Sequence, residues 1–213
     1  MDVKKVYLFD MDGTLVDSMP YWARSVLRVL EDAGIPYTQE MIRTFTTLGY
    51  IGTARYYREH LGITTDEDAL VKQMMSYAVH EYTYNIKLKP YVAEYIRHLL
   101  DSGARCCVLT ASPHDTTDVC LKRNGIYDLF EYVWSADDFG INKNNETLYR
   151  VVAEKLGCSV TDICFFDDNL LALQAGKRAG LSLVGVYDAY SEDVKDIIVQ
   201  TVDTYIHSFE ELL

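Results

Sequence analysis

The sequence of 213 residues has no run of about 18 apolar residues, the length that a membrane-spanning helix needs. Basic residues are few as well, because 20 lysines and arginines stand against 32 acidic residues and the formal net charge is −12. A surface of that sign repels nucleic acid and anionic membranes, so we expect neither as a partner. The N-terminal segment reaches an acidic residue too early for a signal peptide, and we expect none.

Paired cysteines are also missing. The five cysteines are an odd number, and no two of them form a Cys-x-x-Cys motif. We therefore expect five reduced thiols in a cytoplasmic protein rather than a disulfide framework. The apolar fraction of 49% suffices for one sizeable core, or for a core domain with a small satellite, and we expect a monomer.

Short apolar runs alternate with amphipathic stretches along the chain, a pattern that is typical of a parallel α/β sheet. Each of the first five runs ends in polar or small residues, and open parallel sheets bind their ligands at the carboxyl ends of the strands. The predicted strands are residues 6–9, 105–109, 132–134, 163–166, 183–186 and 204–206.

A purely helical pattern separates the first two predicted strands, which lie much further apart than the about 30 residues of one βαβ unit. Ser18 is the predicted cap of the first helix, and three more are predicted at residues 38–48, 52–61 and 66–84. The predicted fold is therefore α/β, with an inserted all-helical domain in a Rossmann-like core. The core comprises residues 1–16 and 86–213, and the helical domain comprises residues 17–85.

The strongest chemical signal is the run Asp10-Met11-Asp12-Gly13-Thr14 at the end of the first predicted strand. Asp10 and Asp12 are two residues apart, so their side chains leave the strand on the same side, and Gly13 lets the backbone turn away. Carboxylates this close repel each other, so we expect a bound cation or a shared proton. Such a pair can act as nucleophile and as acid/base, although a solvated acidic turn would contain the same residues.

A second acidic signal, Asp167-Asp168-Asn169, follows the fourth predicted strand. Strand ends of a parallel sheet converge on one crevice, so these carboxylates can lie near Asp10. Oxygen ligands from separate strands suit Mg²⁺ better than Zn²⁺. Capping of the next helix by Asp168 or Asn169 is the alternative interpretation.

Two weaker signals lie between them. Thr110 and Ala111 follow the second predicted strand, where a hydroxyl beside helix N–H groups can hold an anion. The alternative interpretation is that Ser112, followed by Pro113, simply caps the next helix. Lys143 precedes the helix predicted at residues 146–156, and a single lysine there is by default an exposed one.

In this order the four signals resemble the motifs of the haloacid dehalogenase-like superfamily. Asp10 and Asp12 resemble its first motif, Thr110 its second, Lys143 its third and the acidic pair at 167–168 its fourth. The helical insert resembles the α-helical cap of the subgroup that contains β-phosphoglucomutase and phosphoglycolate phosphatase. The third and fourth motifs depart from that subgroup, which usually has prolines after the lysine and Glu-Asp-Ser or Gly-Asp-Ser at residues 167–169.

The resemblance implies a Mg²⁺-dependent phosphatase that hydrolyses a small phosphorylated metabolite. Asp10 would attack phosphorus to form an aspartyl phosphate, and Asp12 would protonate the leaving oxygen and then activate water. The Asp10 carboxylate, the Asp12 backbone carbonyl and the Asp168 carboxylate would hold Mg²⁺, with Asp167 in support. The resemblance further implies that the transferring phosphoryl oxygens are bound by Thr110, Ala111 and Lys143.

Two alternatives to the phosphatase are a mutase of the β-phosphoglucomutase type and a non-catalytic binding or regulatory protein. The mutases carry a histidine ten residues after the acid/base aspartate, where this chain has Trp22. They also carry an arginine shortly after a cap-loop glycine, and counting from Gly49 that position is Gly52. These differences favour the phosphatase, and the complete motif set disfavours a non-catalytic protein.

The helical insert is rich in aromatic residues, most of which helix–helix packing explains. Our hypothesis is that Tyr21, Trp22 and the loop at residues 49–53 line the substrate pocket. Gly49 and Gly52 would let that loop close over a ligand.

Overall fold

The computed structural model describes residues 5–213, apart from the side chains of Arg43, Thr46 and Thr47. Within that range six strands form one sheet, in which every pair of neighbours is parallel and the order is β3-β2-β1-β4-β5-β6. The predicted α/β fold class is thereby confirmed. The strands are β1 Val6–Phe9, β2 Arg105–Thr110, β3 Tyr132–Ser135, β4 Ile163–Asp167, β5 Ser182–Val186 and β6 Thr204–Ile206.

Helices connect the strands and form the insert after β1. The α-helices of the described chain are α1 Met19–Asp32, α2 Gln39–His60, α3 Glu67–Tyr84, α4 Val92–Asp101, α5 His114–Arg123, α6 Glu146–Leu156, α7 Leu170–Ala179 and α8 Lys195–Thr201. Short 3₁₀ turns lie at Tyr127–Leu129, Ala136–Phe139, Val160–Asp162, Ala189–Val194 and Phe209–Leu212. None of the helices between residues 5 and 213 is long and apolar enough to cross a membrane.

The central strand β1 brings the motif residues to one edge of the sheet. Its register aligns Phe9 with Val108 of β2 on one side and with Phe166 of β4 on the other. The backbone N–H of Asp10 continues this pairing by donating to the Phe166 carbonyl at 2.9 Å. The strand order reverses between β1 and β4, which is where doubly wound sheets bind ligands.

Both faces of the sheet are packed with large side chains. On one face Phe9 and Phe166 have ring centroids 4.7 Å apart, and Phe209 stacks on Phe166 at 5.9 Å. On the other face Tyr149 of α6 lies 5.1 Å from Phe165. Burial of both faces explains why the strands are short continuous apolar runs in the sequence.

The chain divides into two compact units. One comprises the segment that ends at Asp17 together with Lys87–Leu213, and the other is Ser18–Ile86. Each boundary lies one residue beyond the one expected from the sequence. The helical unit has its own buried cluster, which includes Leu30, Phe45 and Tyr57.

Local details of the helical unit differ from the sequence-based expectations. Ser18 occupies the N-cap position of α1 as predicted, but it has helical backbone angles and its side chain makes no capping hydrogen bond. The helices predicted at residues 38–48 and 52–61 are one element, α2, interrupted at Gly49. Gly49 has φ 64° and ψ −175°, a conformation that glycine adopts readily and that breaks the helical hydrogen bonding.

Candidate active site

The loop after β1 is a tight turn built on Met11. Its carbonyl accepts hydrogen bonds from the N–H groups of Leu15 and Val16 at 2.9 and 3.0 Å. The Gly13 N–H donates to the Val16 carbonyl at 3.0 Å, and its φ of 76° is in the left-handed region that favours glycine. This turn holds Asp10 at the strand end, where it is only 5% exposed.

A buried lysine connects the first and fourth motifs. The Lys143 ammonium lies 2.5 Å from Asp10 Oδ1 and 2.7 Å from Asp167 Oδ2, and 10% of its side chain is exposed. Burial raises the pKa of Asp10, and the charge of Lys143 opposes that rise. Burial by itself would lower the pKa of Lys143, but Asp10 and Asp167 outweigh it and raise that pKa. The lysine therefore stays a cation against two carboxylates.

Asp168 lies beside the turn of the first motif. Its Oδ1 accepts a hydrogen bond from Thr14 Oγ1 at 3.3 Å, and its Oδ2 accepts one from Ser191 Oγ at 3.4 Å. Burial, followed by the charges of Asp167 and Asp10, raises the pKa of Asp168. A Cβ on Gly13 would lie 2.6 Å from Asp168 Oδ2, so the close approach requires glycine.

The acidic cluster fits a divalent cation. Asp10, Asp167 and Asp168 are buried, and each offers a carboxylate oxygen within 4.8 Å of the others. The ammonium of Lys143 contacts two of the three, so the cluster has excess negative charge in a site shielded from water. An all-oxygen donor set of this kind suits a hard cation such as Mg²⁺.

The second motif contacts the acid of the first. Ser112 Oγ donates a hydrogen bond to Asp12 Oδ2 at 2.6 Å, so it orients that carboxylate. The cap of α5 is Pro113, without a side-chain capping bond, and the capping role expected for Ser112 is wrong. Thr110 is fully buried at the end of β2, and its Oγ1 accepts the Ser112 N–H at 3.1 Å. Ala111, between them, is exposed.

A second lysine, from the segment that follows the helical unit, reaches the same loop. The Lys89 ammonium donates to the carbonyl of Gly13, to the carbonyl of Tyr187 at 2.7 Å and to Asp188 Oδ2 at 2.9 Å. Lys89 belongs to none of the four motifs, because nothing local in the sequence distinguishes it from an exposed lysine.

In the helical unit the structure brings Trp22 against Tyr50, with ring centroids 5.5 Å apart. Tyr50 directly follows Gly49, so the first helix and the predicted loop meet. Trp22 and Tyr21 are both half-buried. Trp22 also packs against the helical core, as the packing interpretation of these aromatic residues requires.

The family model for haloacid dehalogenase-like hydrolases matches residues 7–186 of the chain, a stretch that contains all of the motif residues described above. The chain belongs to the haloacid dehalogenase-like hydrolase family. The predicted family is thereby confirmed, and so is the prediction that the protein is an enzyme of the hydrolase class.

Relatives of this haloacid dehalogenase-like hydrolase are named as phosphatases, which agrees with a phosphoric monoester hydrolase. The pyrophosphatase PpaX of Bacillus velezensis is 27% identical over 180 residues, covering 84% of this chain and 81% of its own. A phosphoglycolate phosphatase of Pseudomonas putida is 26% identical over 192 residues, covering 88% of this chain and 71% of its own. The crystal structure of CbbY from Rhodobacter sphaeroides in complex with phosphate has the same fold, with a TM-score of 0.82 and 22% identity over 98% of this chain and 96% of that one.

The motif residues of this family member all lie in the sheet unit, and the cap candidates all lie in the helical unit. Carboxylate oxygens of Asp10 and Asp168 lie within 4.8 Å of each other, and Lys143 contacts Asp10. The contacts of Ser112 and Lys89 were missed. Ser112 carried a signal that was interpreted as capping, whereas Lys89 carried none.

Proposed function

We propose that the protein is a Mg²⁺-dependent phosphatase that hydrolyses a small phosphorylated metabolite through an aspartyl-phosphate intermediate. The observation that carries the proposal is the pair Asp10 and Asp12, held on one loop by different partners. Asp10 is buried against Lys143, and Asp12 is half-buried and bound by Ser112. The two carboxylates therefore lie in unlike environments, which suits a nucleophile and an acid/base.

In the first step an oxygen of the Asp10 carboxylate attacks phosphorus, and the bond from phosphorus to the ester oxygen breaks. Asp12, in its protonated form, gives its proton to that leaving oxygen. In the second step the Asp12 carboxylate removes a proton from water, which attacks phosphorus and releases phosphate and Asp10. The hydrogen bond from Ser112 keeps the Asp12 carboxylate in one orientation for both transfers.

The charge of the transferring phosphoryl group spreads over its oxygens, so catalysis depends on positioning and on positive charge. Lys143, the Thr110 hydroxyl and the Ala111 N–H are the groups that we assign to those oxygens. Lys143 also offsets part of the negative charge of Asp10 and Asp167 before substrate arrives. A carboxylate can approach a phosphate dianion only when such charges screen the repulsion between them.

The Asp10 carboxylate, the Asp12 backbone carbonyl and the Asp168 carboxylate would hold Mg²⁺, and Asp167 would support it through Lys143. When bound, the ion supplies a Lewis acid that withdraws charge from a phosphoryl oxygen. Thr14 and Ser191 already donate to the two oxygens of Asp168 and so orient that carboxylate.

The helical unit, Ser18–Ile86, is proposed as a cap that selects the leaving group. Tyr21, Trp22, Gly49 and Gly52 are its candidate substrate contacts. The irregular backbone of Gly49 beside the Trp22–Tyr50 pair supports a loop that changes shape around a ligand.

A screen for phosphate release over a panel of phosphorylated metabolites, with and without Mg²⁺, tests this function. We expect the wild type to release phosphate from members of the panel, chelation to stop it, and Asp10→Asn to abolish it while leaving the unfolding transition in place. Wild-type rates in Asp10→Asn would contradict the proposed nucleophile. Conversion of β-glucose 1-phosphate to glucose 6-phosphate faster than phosphate release would indicate a mutase instead.

The intermediate has its own test. An aryl phosphate has a leaving group that needs no proton, so Asp12→Ala can form the aspartyl phosphate but lacks the base that hydrolyses it. Acid-quenched Asp12→Ala should therefore carry one phosphoryl group on the peptide that contains Asp10. The same peptide from the Asp10→Asn protein is the matched control and should carry none.

A further inference from the structure

Lys89 is a nearly buried cation outside the four family motifs. Its ammonium has three oxygen partners, the carbonyls of Gly13 and Tyr187 and the carboxylate of Asp188, and 15% of its side chain is exposed. Asp188 is 5% exposed and accepts a further hydrogen bond from the Tyr190 N–H at 2.9 Å. An ion pair so shielded from water persists only when hydrogen bonds satisfy both partners, and here they do.

The backbone of Lys89 holds the same loop as its side chain. Its N–H donates to the Leu15 carbonyl at 2.9 Å, and the Asp17 N–H donates to the Lys87 carbonyl at 3.0 Å. Lys89 therefore binds the first-motif loop at two points, the Gly13 carbonyl through its ammonium and the Leu15 carbonyl through its main chain. Because the ammonium also binds the Tyr187 carbonyl, it connects this loop to the end of β5.

The backbone just after Lys89 is strained, which indicates that this geometry is enforced. Tyr91 has φ 63°, and among residues 5–213 no other residue except glycine has a positive φ. A tyrosine in the left-handed region costs free energy that surrounding contacts must outweigh. Pro90, between the two, limits how else the segment can turn.

We propose that Lys89 is a positioning residue that fixes Asp12 and Asp168 relative to each other, an inference that rests on the proposed function. Gly13 directly follows Asp12, and its Cα is packed against the Asp168 carboxylate. The hydrogen bond from Lys89 fixes the position of the Gly13 carbonyl. It therefore fixes the backbone position of Asp12 and the distance between the turn and Asp168. The charge of Asp188 also acts on Asp168, and Lys89 offsets that charge.

The test compares Lys89→Met with Lys87→Met in the full-length protein. Lys87 is exposed and lies two residues earlier on the same segment, so its variant controls for the loss of one lysine. With an aryl phosphate and Mg²⁺ we expect kcat of Lys89→Met to fall about tenfold or more, with KM within about twofold, because small displacements of catalytic groups are costly. Amide hydrogen exchange of the peptide spanning residues 11–17 should accelerate about tenfold or more, because the loop loses an anchor. Lys87→Met should match the wild type in both measurements.

Two further variants should show intermediate values of kcat and of amide exchange. Lys89→Arg keeps a cation with several donors and should restore slow exchange and most of kcat. Lys89→Gln keeps a donor for Gly13 without the charge and should fall between the wild type and Lys89→Met. If Lys89→Met does not fold, the order of wild type, Lys89→Arg and Lys89→Gln carries the test.

Wild-type kcat and wild-type exchange in Lys89→Met would overturn the proposal. A fall in kcat with unchanged exchange would overturn it as well, because the lysine would then act without holding the loop. If the wild-type protein hydrolysed no phosphate ester, the proposed function would fail, and the exchange data would still show whether Lys89 fixes the loop.

Discussion

Four buried carboxylates, Asp10, Asp167, Asp168 and Asp188, lie in the unit that contains the sheet. The buried polar groups described in the helical unit are hydroxyls, among them those of Ser18, Ser25, Thr53 and Tyr57, and no charged group is among them. Aromatic contacts hold the helical core instead. Burying a charge costs free energy, so the sheet unit maintains an arrangement that stability alone would not favour.

This difference in buried charge supports the proposed division, in which the sheet unit carries out the chemistry and the helical unit recognises the substrate. In the sheet unit, Lys143 and Lys89 hold buried carboxylates close together. A substitution at any of these charged residues would leave its partner buried and unpaired, so the arrangement tolerates few substitutions. The helical unit, packed by rings and aliphatic groups, can alter its surface residues without leaving a buried charge unpaired. The acidic excess of the whole chain does not exclude an anionic substrate, because lysines supply positive charge locally and the proposed Mg²⁺ would add to it.

Removal of the Lys143 charge is the strongest way to test this division. In Lys143→Met the nucleophile faces Asp167 without a cation, and the phosphoryl group loses a donor. We expect kcat on an aryl phosphate to fall on the order of 1,000-fold, or about 4 kcal/mol of transition-state stabilisation. The matched control is Lys72→Met, an exposed lysine of α3, which should retain wild-type kcat. Equal effects in the two variants would mean that the units do not divide the chemistry.

The helical unit should instead be sensitive to loss of aromatic volume. Phe45 is fully buried, with its ring centroid 5.2 Å from that of Tyr57 and 5.5 Å from that of Tyr56. Phe45→Ala should lower the free energy of unfolding of this unit by about 3–4 kcal/mol in urea denaturation. Phe45→Leu, which leaves a smaller cavity, should cost less than half as much. At a temperature where Phe45→Ala is folded, kcat on an aryl phosphate should stay near wild type, and a large drop would contradict the division.

Two glycines with positive φ give a comparison of the units. Gly13 has φ 76° and Gly49 has φ 64°, so alanine at either position costs about 1–3 kcal/mol of backbone strain. A Cβ at Gly13 would also collide with Asp168, whereas one at Gly49 would meet nothing within 4 Å. Gly13→Ala should therefore lower kcat about 100-fold, since the Asp168 carboxylate, which we propose as a Mg²⁺ ligand, must move. Gly49→Ala should leave kcat on an aryl phosphate near wild type, and equal losses of kcat in both variants would contradict this assignment.

The strands could be predicted from the sequence because burial on both faces makes each one a continuous apolar run. The bounds of helix α5 could not, because its buried side includes Thr116 and Thr117, which count as polar in a hydrophobic pattern. The break inside α2 was visible as Gly49, but the helical hydrogen bonding on both sides of it was not.

The grouping of the candidate site residues could be predicted because three of the motifs lie at strand ends, which a parallel sheet brings to one edge. The contacts of Ser112 and Lys89 depend on how distant loops meet. Asp12 and Ser112 are 100 positions apart, and Gly13 and Lys89 are 76 apart. No local pattern encodes such pairings, so neither Lys89 nor Ser112 can be recognised from the sequence as a contact of the first motif.

The smallest expected effect concerns two buried serines of the helical unit. Ser25 Oγ donates to the Trp22 carbonyl at 2.7 Å and lies 3.3 Å from the Tyr50 hydroxyl. Ser18 Oγ is as deeply buried but has no hydrogen-bond partner within residues 5–213. Ser25→Ala should therefore destabilise the unit by about 1 kcal/mol, because a buried hydrogen bond is lost. Ser18→Ala should be neutral or stabilising by up to about 1 kcal/mol, because it removes a buried hydroxyl that nothing satisfies.

Alanine at the N-cap of a helix ordinarily costs about 1 kcal/mol, so a gain at Ser18 runs against the usual rule. The rule does not apply here because the Ser18 side chain accepts no N–H from the first turn of α1. Urea denaturation of both variants measures the two free energies of unfolding on one scale. A loss of 1 kcal/mol or more in Ser18→Ala would mean that the hydroxyl does cap α1 in solution. Ser18, the first residue of the helical unit, would then have a hydrogen-bond partner, as the buried polar groups of the sheet unit do. The two units would then differ only in whether their buried polar groups are charged.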